Sequence, residues 1–186
     1  MSSQENFKAE LIGLVRELSY EEREVVLTSG LKSNFYFDGK QTTLHPRGAW
    51  LVGRLIYERL MQGEPVDAVG GPTLGADPMV TSLALISGEQ GHPIPAFIVR
   101  REAKKHGKQL WIEGAKNIPE GARVAVLEDV VTTGGSTLKA IGRIEDSGFT
   151  VKRVICLVDR EEGGAENLAA HGYQLEALLT KSEVVK

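Results

Sequence analysis

The first third of the chain alternates between helical spacing of apolar residues and short runs typical of strands. Between residues 5 and 18, apolar side chains recur every three or four positions, which predicts an amphipathic helix. The stretches 24–28 and 34–38 predict the two short strands of a hairpin. A second helical pattern begins at Pro46 and continues to residue 63. Two helices and two short strands therefore precede the main alternation of the chain.

From residue 66 onward, short apolar runs alternate with helical patterns. Buried strands are predicted at 66–69, 94–99, 124–127 and 151–158, and a final edge strand at 173–179. Such alternation predicts an α/β fold in which helices cover both faces of a parallel sheet. The loops after these strands would meet along one edge of the sheet, where ligands bind in such folds.

The stretch VAVLEDVVTTGGST, residues 124–137, carries the most specific chemistry. Glu128 and Asp129 follow the apolar run, and a loop of hydroxyls and glycines precedes the next helix. Gly134 and Gly135 allow a turn in which backbone N–H groups converge on one anion, and the helix start adds more N–H groups. Carboxylates accept hydrogen bonds from ribose hydroxyls and orient water on Mg²⁺. The pattern predicts a sugar-phosphate site, and the alternative is an ordinary capped turn beside two solvated acids.

Segment 100–108 is strongly basic, with two arginines, three lysines and a histidine. It lacks apolar periodicity, which favours a loop over a helix. A charge run of this kind is usually a solvated surface. A substrate with several phosphate groups, however, needs cations around it. The sequence leaves two interpretations of this segment open, a solvated surface and a phosphate-binding loop.

Composition narrows the class of protein. A length of 186 residues suits one domain, and a formal net charge of −3 argues against a general nucleic-acid binder. Cys156 is the only cysteine, so no internal disulfide is expected. The first ten residues are polar and unlike a signal peptide, and no apolar run approaches the ~20 residues that span a bilayer. We therefore expect a cytoplasmic protein with no nucleic-acid or membrane partner.

Four stretches resemble one protein family. Residues 124–137 resemble the 5-phosphoribosyl-1-diphosphate (PRPP) signature of the type I phosphoribosyltransferases. Three further stretches resemble the orotate phosphoribosyltransferases: the base-covering hood (TSGLKSNFYFD, 28–38), the catalytic loop (VRREAKKHG, 99–107) and the orotate-binding strand end (Val-Asp-Arg, 158–160). The resemblance covers nearly the whole chain.

The resemblance implies the fold of type I phosphoribosyltransferases, an α/β domain whose parallel sheet is flanked by helices and covered by a small hood. The hood, a helix plus short strands, would span residues 1–43, and the α/β core would span 44–186. In this family the glycine-rich loop at 70–78 faces the diphosphate of PRPP. Two positions depart from the family pattern, because relatives often carry lysine at the positions of Thr28 and Gly75.

The resemblance also assigns residues to roles. It implies that PRPP is bound by Arg100, Arg101, Lys104, His106, Glu128, Asp129, Val130, Val131, Thr132, Thr133, Gly134, Gly135 and Ser136. It assigns orotate to Thr132, Arg160, Phe35 and Tyr36, and catalytic roles to Lys104, Arg101 and Asp129. Arg160 would face the orotate carboxylate; the alternative is a strand-end arginine paired with Glu161 or Glu162.

The implied reaction is transfer of the phosphoribosyl group from PRPP to orotate, giving orotidine 5′-monophosphate and diphosphate in pyrimidine synthesis. Mg²⁺ would be held mainly by PRPP, with Asp129 and Glu128 contributing through water. The resemblance further implies a homodimer in which Arg100, Lys104 and His106 reach the partner subunit's site while Arg101 serves its own. Two alternatives stay open, a purine phosphoribosyltransferase and a non-catalytic PRPP- or nucleotide-binding regulator.

Overall fold

The structure of the protein, a computed structural model, describes residues 3–22, 25–26, 32–33, 36–102 and 111–185. Its helices are α1 (Ser3–Leu18), α2 (Gly39–Thr43), α3 (Pro46–Met61), α4 (Asp77–Glu89), α5 (Gly135–Asp146), α6 (Gly164–Ala170) and α7 (Lys181–Val184). Its strands are β1 (Tyr20–Glu21), β2 (Val25–Val26), β3 (Lys32–Ser33), β4 (Tyr36–Phe37), β5 (Ala68–Pro72), β6 (Ala96–Val99), β7 (Ile112–Glu113), β8 (Arg123–Val131), β9 (Thr150–Asp159) and β10 (Leu175–Thr180). Within these ranges, no helix is both long and apolar enough to cross a membrane.

The main sheet confirms the predicted α/β fold. Its strands, within the part of the chain that the structure describes, follow the order β10-β9-β8-β5-β6-β7. Each pair from β10 to β6 is parallel, and only β7 runs antiparallel, against β6. The sequence did not predict β7, because two residues are too few to show an alternating pattern.

Helices cover both faces of the sheet, as the alternation predicted. The layer on one face joins the sheet to α1, α3 and α4, and its buried residues include Leu11, Leu51, Leu83 and Leu127. The layer on the other face joins the sheet to α5, and its buried residues include Val126, Ile141 and Val154. Consecutive residues of β8 thus contribute to opposite layers, as side chains along a strand do. Burial on both faces explains why the strands read as continuous apolar runs.

Two details of the predicted elements are wrong. The strand predicted at 124–127 continues to Val131, so Glu128 and Asp129 lie inside β8 and not after it. The hairpin pairing also differs, because β2 pairs with β3 while β4 pairs with β1. Phe37 of β4 is buried in the layer that contains α1, a long-range contact that the local pattern of residues 34–38 does not reveal.

Candidate active site

Glu128 lies almost fully buried near the end of β8. Its side chain extends toward α5, where Thr137 Oγ1 donates a hydrogen bond of 3.1 Å to Oε2. Burial, together with the charge of the neighbouring Asp129 and a side-chain hydrogen bond to it, raises the pKa of Glu128 to about 8. The two neighbouring carboxyl groups therefore lie together near the carboxyl end of β8, and their role toward a sugar phosphate stays a prediction.

Asp129 extends toward α2. Its Oδ1 accepts a hydrogen bond of 3.0 Å from the backbone N–H of Val130, and its Oδ2 lies 4.0 Å from Lys40 Nζ. Burial raises the pKa of Asp129, while the positive charge of Lys40 opposes that shift. The same lysine contacts Asp38 Oδ1 at 2.6 Å. Lys40 thus places one cation between two carboxylates, Asp38 and Asp129.

Two glycines approach Asp129 closely. A Cβ atom at Gly75 would lie 2.2 Å from Asp129 Oδ1, and one at Gly39 would lie 3.1 Å from Asp129 Cβ. A side chain at position 75 would therefore have to displace the Asp129 carboxylate. In this arrangement a nearby cation is Lys40, which approaches the Asp129 carboxylate from α2. Sequence reasoning missed Lys40 because the 5-residue helix α2 carries no apolar periodicity.

The loop between β8 and α5 has the shape of an anion site. Gly134 precedes α5 with φ at +77°, in the left-handed region that favours glycine, and a Cβ there would lie 3.1 Å from the carbonyl oxygen of Gly164. Asn167 of α6 donates a hydrogen bond of 2.6 Å to the carbonyl of Thr133 and so holds the loop from behind. Thr133 and Ser136 are exposed, and the first N–H groups of α5 have no helical acceptor. The loop can therefore receive a phosphate group.

Arg101 and Arg100 flank a cleft on the same edge of the sheet. The cleft has a volume of about 520 Å³ and lies between the segment Thr73–Asp77 and residues 100–102. Arg101 Nε donates a hydrogen bond of 3.2 Å to the carbonyl of Thr73. Arg100 Nη1 lies 2.6 Å from Glu113 Oε1 of its own chain. The structure thus places Arg101 beside the glycine-rich loop, and its role in binding PRPP stays a prediction.

Arg160 takes the partner that the alternative interpretation named. Its guanidinium is buried, and Nη2 lies 3.0 Å from Glu162 Oε1. Its backbone N–H donates to the carbonyl of Val131, which fixes Arg160 beside the end of β8. The arginine is therefore held beside the end of β8, with an acidic partner that a carboxylate ligand would have to share.

The remaining predicted residues divide into two groups. Tyr36 is half-buried in β4, paired with Glu21, and lies near enough to influence Lys40 electrostatically. Val130 and Val131 close β8, with Val131 buried, and Thr132 is half-buried after it. The predictions for Thr28, Phe35, Lys104 and His106 lie outside the described residues.

Comparison with known proteins agrees with this geometry. Residues 39–171 match the family model described as "Phosphoribosyl transferase domain". An orotate phosphoribosyltransferase of Nostoc sp. is 49% identical over 173 residues, 93% of this chain and 82% of the relative. The corresponding protein of Sorangium cellulosum is 44% identical over 94% of this chain and 91% of the relative.

Solved structures give the same answer. Orotate phosphoribosyltransferase of Mycobacterium tuberculosis, crystallised with Fe(III) dicitrate, superposes with a TM-score of 0.82 and 41% identity over 96% of this chain and 98% of that one. The same protein in complex with PRPP gives a TM-score of 0.79 and 38% identity, covering 97% of this chain and 99% of that one. The strand–acid–loop motif, the basic cleft and these relatives agree, and the chain belongs to the orotate phosphoribosyltransferases of the phosphoribosyl transferase domain family.

Proposed function

We propose that this protein transfers the 5-phosphoribosyl group from PRPP to orotate, releasing diphosphate and forming orotidine 5′-monophosphate. The observation that carries this proposal is the convergence of three features on one sheet edge. These are the neighbouring acids Glu128 and Asp129, the loop before α5 that can receive a phosphate, and the cleft beside Arg101. The acids lie between the other two features, because Glu128 accepts a hydrogen bond from Thr137 of α5 and Asp129 lies against Gly75. In PRPP the ribose hydroxyls likewise lie between the 5-phosphate and the diphosphate. Relatives named orotate phosphoribosyltransferase, one solved with PRPP, support the choice of substrates.

The mechanism follows from charge. The C1–O bond to diphosphate breaks, diphosphate leaves with the electron pair, and the orotate ring nitrogen, whose N–H proton is lost to solvent, forms the new bond to C1 from the opposite face. Positive charge develops on the ribose, beside Asp129, while negative charge develops on the leaving group, beside Arg101. Fixed charges of this kind stabilise the transition state without any covalent intermediate.

Mg²⁺ fits this site as an ion shared with the substrate. Among the described residues, no cluster of three or more His, Cys, Asp or Glu side chains could enclose a metal. Two neighbouring carboxylates beside a diphosphate are nevertheless the donors that Mg²⁺ takes when substrate oxygens complete its shell. Glu128 and Asp129 would hold the ion through water, and its contribution when bound would be to neutralise the diphosphate.

The assay that tests the proposal follows diphosphate release with PRPP and Mg²⁺ while one base is offered at a time. We expect release with orotate and none with adenine, hypoxanthine, guanine, xanthine or uracil. Release with a purine base alone would instead indicate a purine phosphoribosyltransferase. Binding of PRPP without release for any base would indicate a regulator.

A cytoplasmic location and the division into residues 1–43 and 44–186 stay predictions.

We propose that Lys40 contacts PRPP, because its Nζ lies 4.0 Å from Asp129 Oδ2 and its side chain is 40% exposed. Lys40→Met is expected to raise the KM for PRPP about tenfold, because losing one charged contact of ~1.4 kcal/mol corresponds to that factor. Steady-state kinetics measures it. Lys116→Met, at an exposed lysine in the turn before β8, is the matched control and should leave the KM for PRPP unchanged. An unchanged KM in Lys40→Met would remove Lys40 from the site.

Arg160 is proposed to recognise the orotate carboxylate. Arg160→Ala is expected to raise the KM for orotate by about 30-fold or more, because losing a buried charge-assisted pair costs ~2–5 kcal/mol. The KM for PRPP should change little. Glu162→Gln is the control, because it keeps the guanidinium but weakens its internal partner. If both variants raise the KM for orotate equally, Arg160 acts only through its pair with Glu162 and does not contact the base.

A further inference from the structure

The backbone is paired across residues 100 and 111, which lie at the start of the basic segment and just beyond its end. β6 and β7 pair antiparallel, with Val99 opposite Ile112. Beyond that pair, the backbone N–H of Arg100 donates a hydrogen bond of 2.8 Å to the carbonyl of Trp111. Residues 100 and 111 are thereby held side by side, and the position of Arg101 depends on this junction.

Helix α5 contacts this junction between residues 100 and 111. Arg143, on α5, places its guanidinium carbon 4.4 Å from the centre of the Trp111 ring. The same guanidinium donates a hydrogen bond of 3.0 Å from Nη1 to the carbonyl of Arg100. Both Arg143 and Trp111 are half-buried. The guanidinium of Arg143 therefore contacts both residues of the junction: it stacks on the ring of Trp111 and donates a hydrogen bond to the backbone of Arg100.

The helix that carries Arg143 also forms the phosphate-receiving loop. α5 begins at Gly135, directly after Gly134, and Arg143 lies eight residues further along, a rise of ~12 Å. On the other side of the junction, Arg101 follows Arg100 and bonds to Thr73 at the cleft. The stack thus connects the element proposed to hold the 5-phosphate with the residue proposed to hold the diphosphate. A helix is rigid over this length, so the two phosphate sites have a set separation.

We propose that Arg143 and Trp111 are positioning residues. They hold Arg101 at a fixed distance from the phosphate loop, so that both ends of PRPP are bound at once. This inference rests on the proposed function, because it assumes that Arg101 serves the diphosphate. Both residues would act through the backbone of Arg100, to which each is hydrogen-bonded, and not through a contact with the substrate. A stack that served only the fold would change the melting temperature and leave PRPP binding intact.

The chain contains a matched control for this experiment. Arg47 lies over the ring of Trp50 at 4.5 Å, almost the same distance, and also pairs with Glu10 at the surface. It lies at the start of α3, in the other layer of the protein. Arg47→Gln therefore removes a stack of similar geometry without touching the junction at residues 100 and 111.

The test measures the Kd for PRPP by calorimetry and kcat/KM for PRPP in the orotate assay. Arg143→Gln is expected to weaken PRPP binding and to lower kcat/KM about tenfold, while Arg47→Gln changes neither. Trp111→Leu should match Arg143→Gln, Trp111→Phe should recover most of the activity, and the Trp111→Leu/Arg143→Gln double variant should be no worse than either single one. Should Arg143→Gln fail to fold, the two Trp111 variants decide the result by the same comparison.

Two outcomes would overturn the inference. One is a Kd for PRPP in Arg143→Gln equal to that of Arg47→Gln and the wild type. The other is additive losses in the double variant, which would mean that the two side chains act independently. The Kd needs no second substrate, so it remains informative even if the wild type fails to use orotate. Failure of the stack proposal and failure of the proposed function are therefore distinguishable.

Discussion

Replacing Asp129 by asparagine is expected to lower kcat by about 100-fold or more with little change in folding. Asparagine keeps the size of the side chain and an oxygen to accept the Val130 N–H hydrogen bond, but it removes the charge. A charge ~5 Å from the developing positive charge on the ribose is worth ~3 kcal/mol at an effective dielectric of ~20, which corresponds to a factor of more than 100. Turnover at saturating PRPP and orotate measures the loss.

The control for this variant is Asp146→Asn, at an exposed acid that ends α5. It makes the same chemical change at a position remote from β8, and its kcat should equal that of the wild type. Glu162 is unsuitable as a control because it pairs with Arg160. If Asp129→Asn turns over as fast as Asp146→Asn, the acidic pair has no part in catalysis.

Mixing two inactive variants is expected to restore activity if the protein is a homodimer with shared sites. The family resemblance assigns Lys104 to the partner subunit's site, whereas Asp129 belongs to its own subunit. In a heterodimer of Lys104→Ala and Asp129→Asn, both lesions fall in one site and the other site is intact. Random exchange makes half of the dimers mixed, so about a quarter of the wild-type activity should return.

Native mass spectrometry of subunits with different tags supplies the control, because it shows independently whether subunits have exchanged. A mixture that has exchanged but stays inactive would contradict shared sites. A mass corresponding to the single chain under assay conditions would contradict the dimer itself. Lys104 lies outside the described residues, so the prediction depends on the resemblance of 99–107 to the catalytic loop and not on the position of its side chain.

The order of elements and the central motif could be predicted from the sequence. The strand β8, the acids Glu128 and Asp129 and the loop at Gly134 are contiguous, so their relation follows from the chain itself. Apolar runs separated by helical spacing also predicted the sheet with helices on both faces, because burial leaves a periodic trace in the residues of each element. Local patterns therefore determined the fold class, and the phosphate-binding role that they indicate for the loop stays a prediction.

The tertiary structure decided which distant residues meet that motif. Lys40 reaches Asp129 from α2, Gly75 leaves room for the same carboxylate, and Arg143 stacks on Trp111. None of these contacts leaves a periodic trace, since each joins single residues far apart in the chain. The choice of Glu162 as the partner of Arg160 was likewise open in the sequence, where Glu161 was equally near. Sequence spacing determines what a residue can do locally, whereas packing of the sheet against its helices determines which of the many possible partners lies within reach.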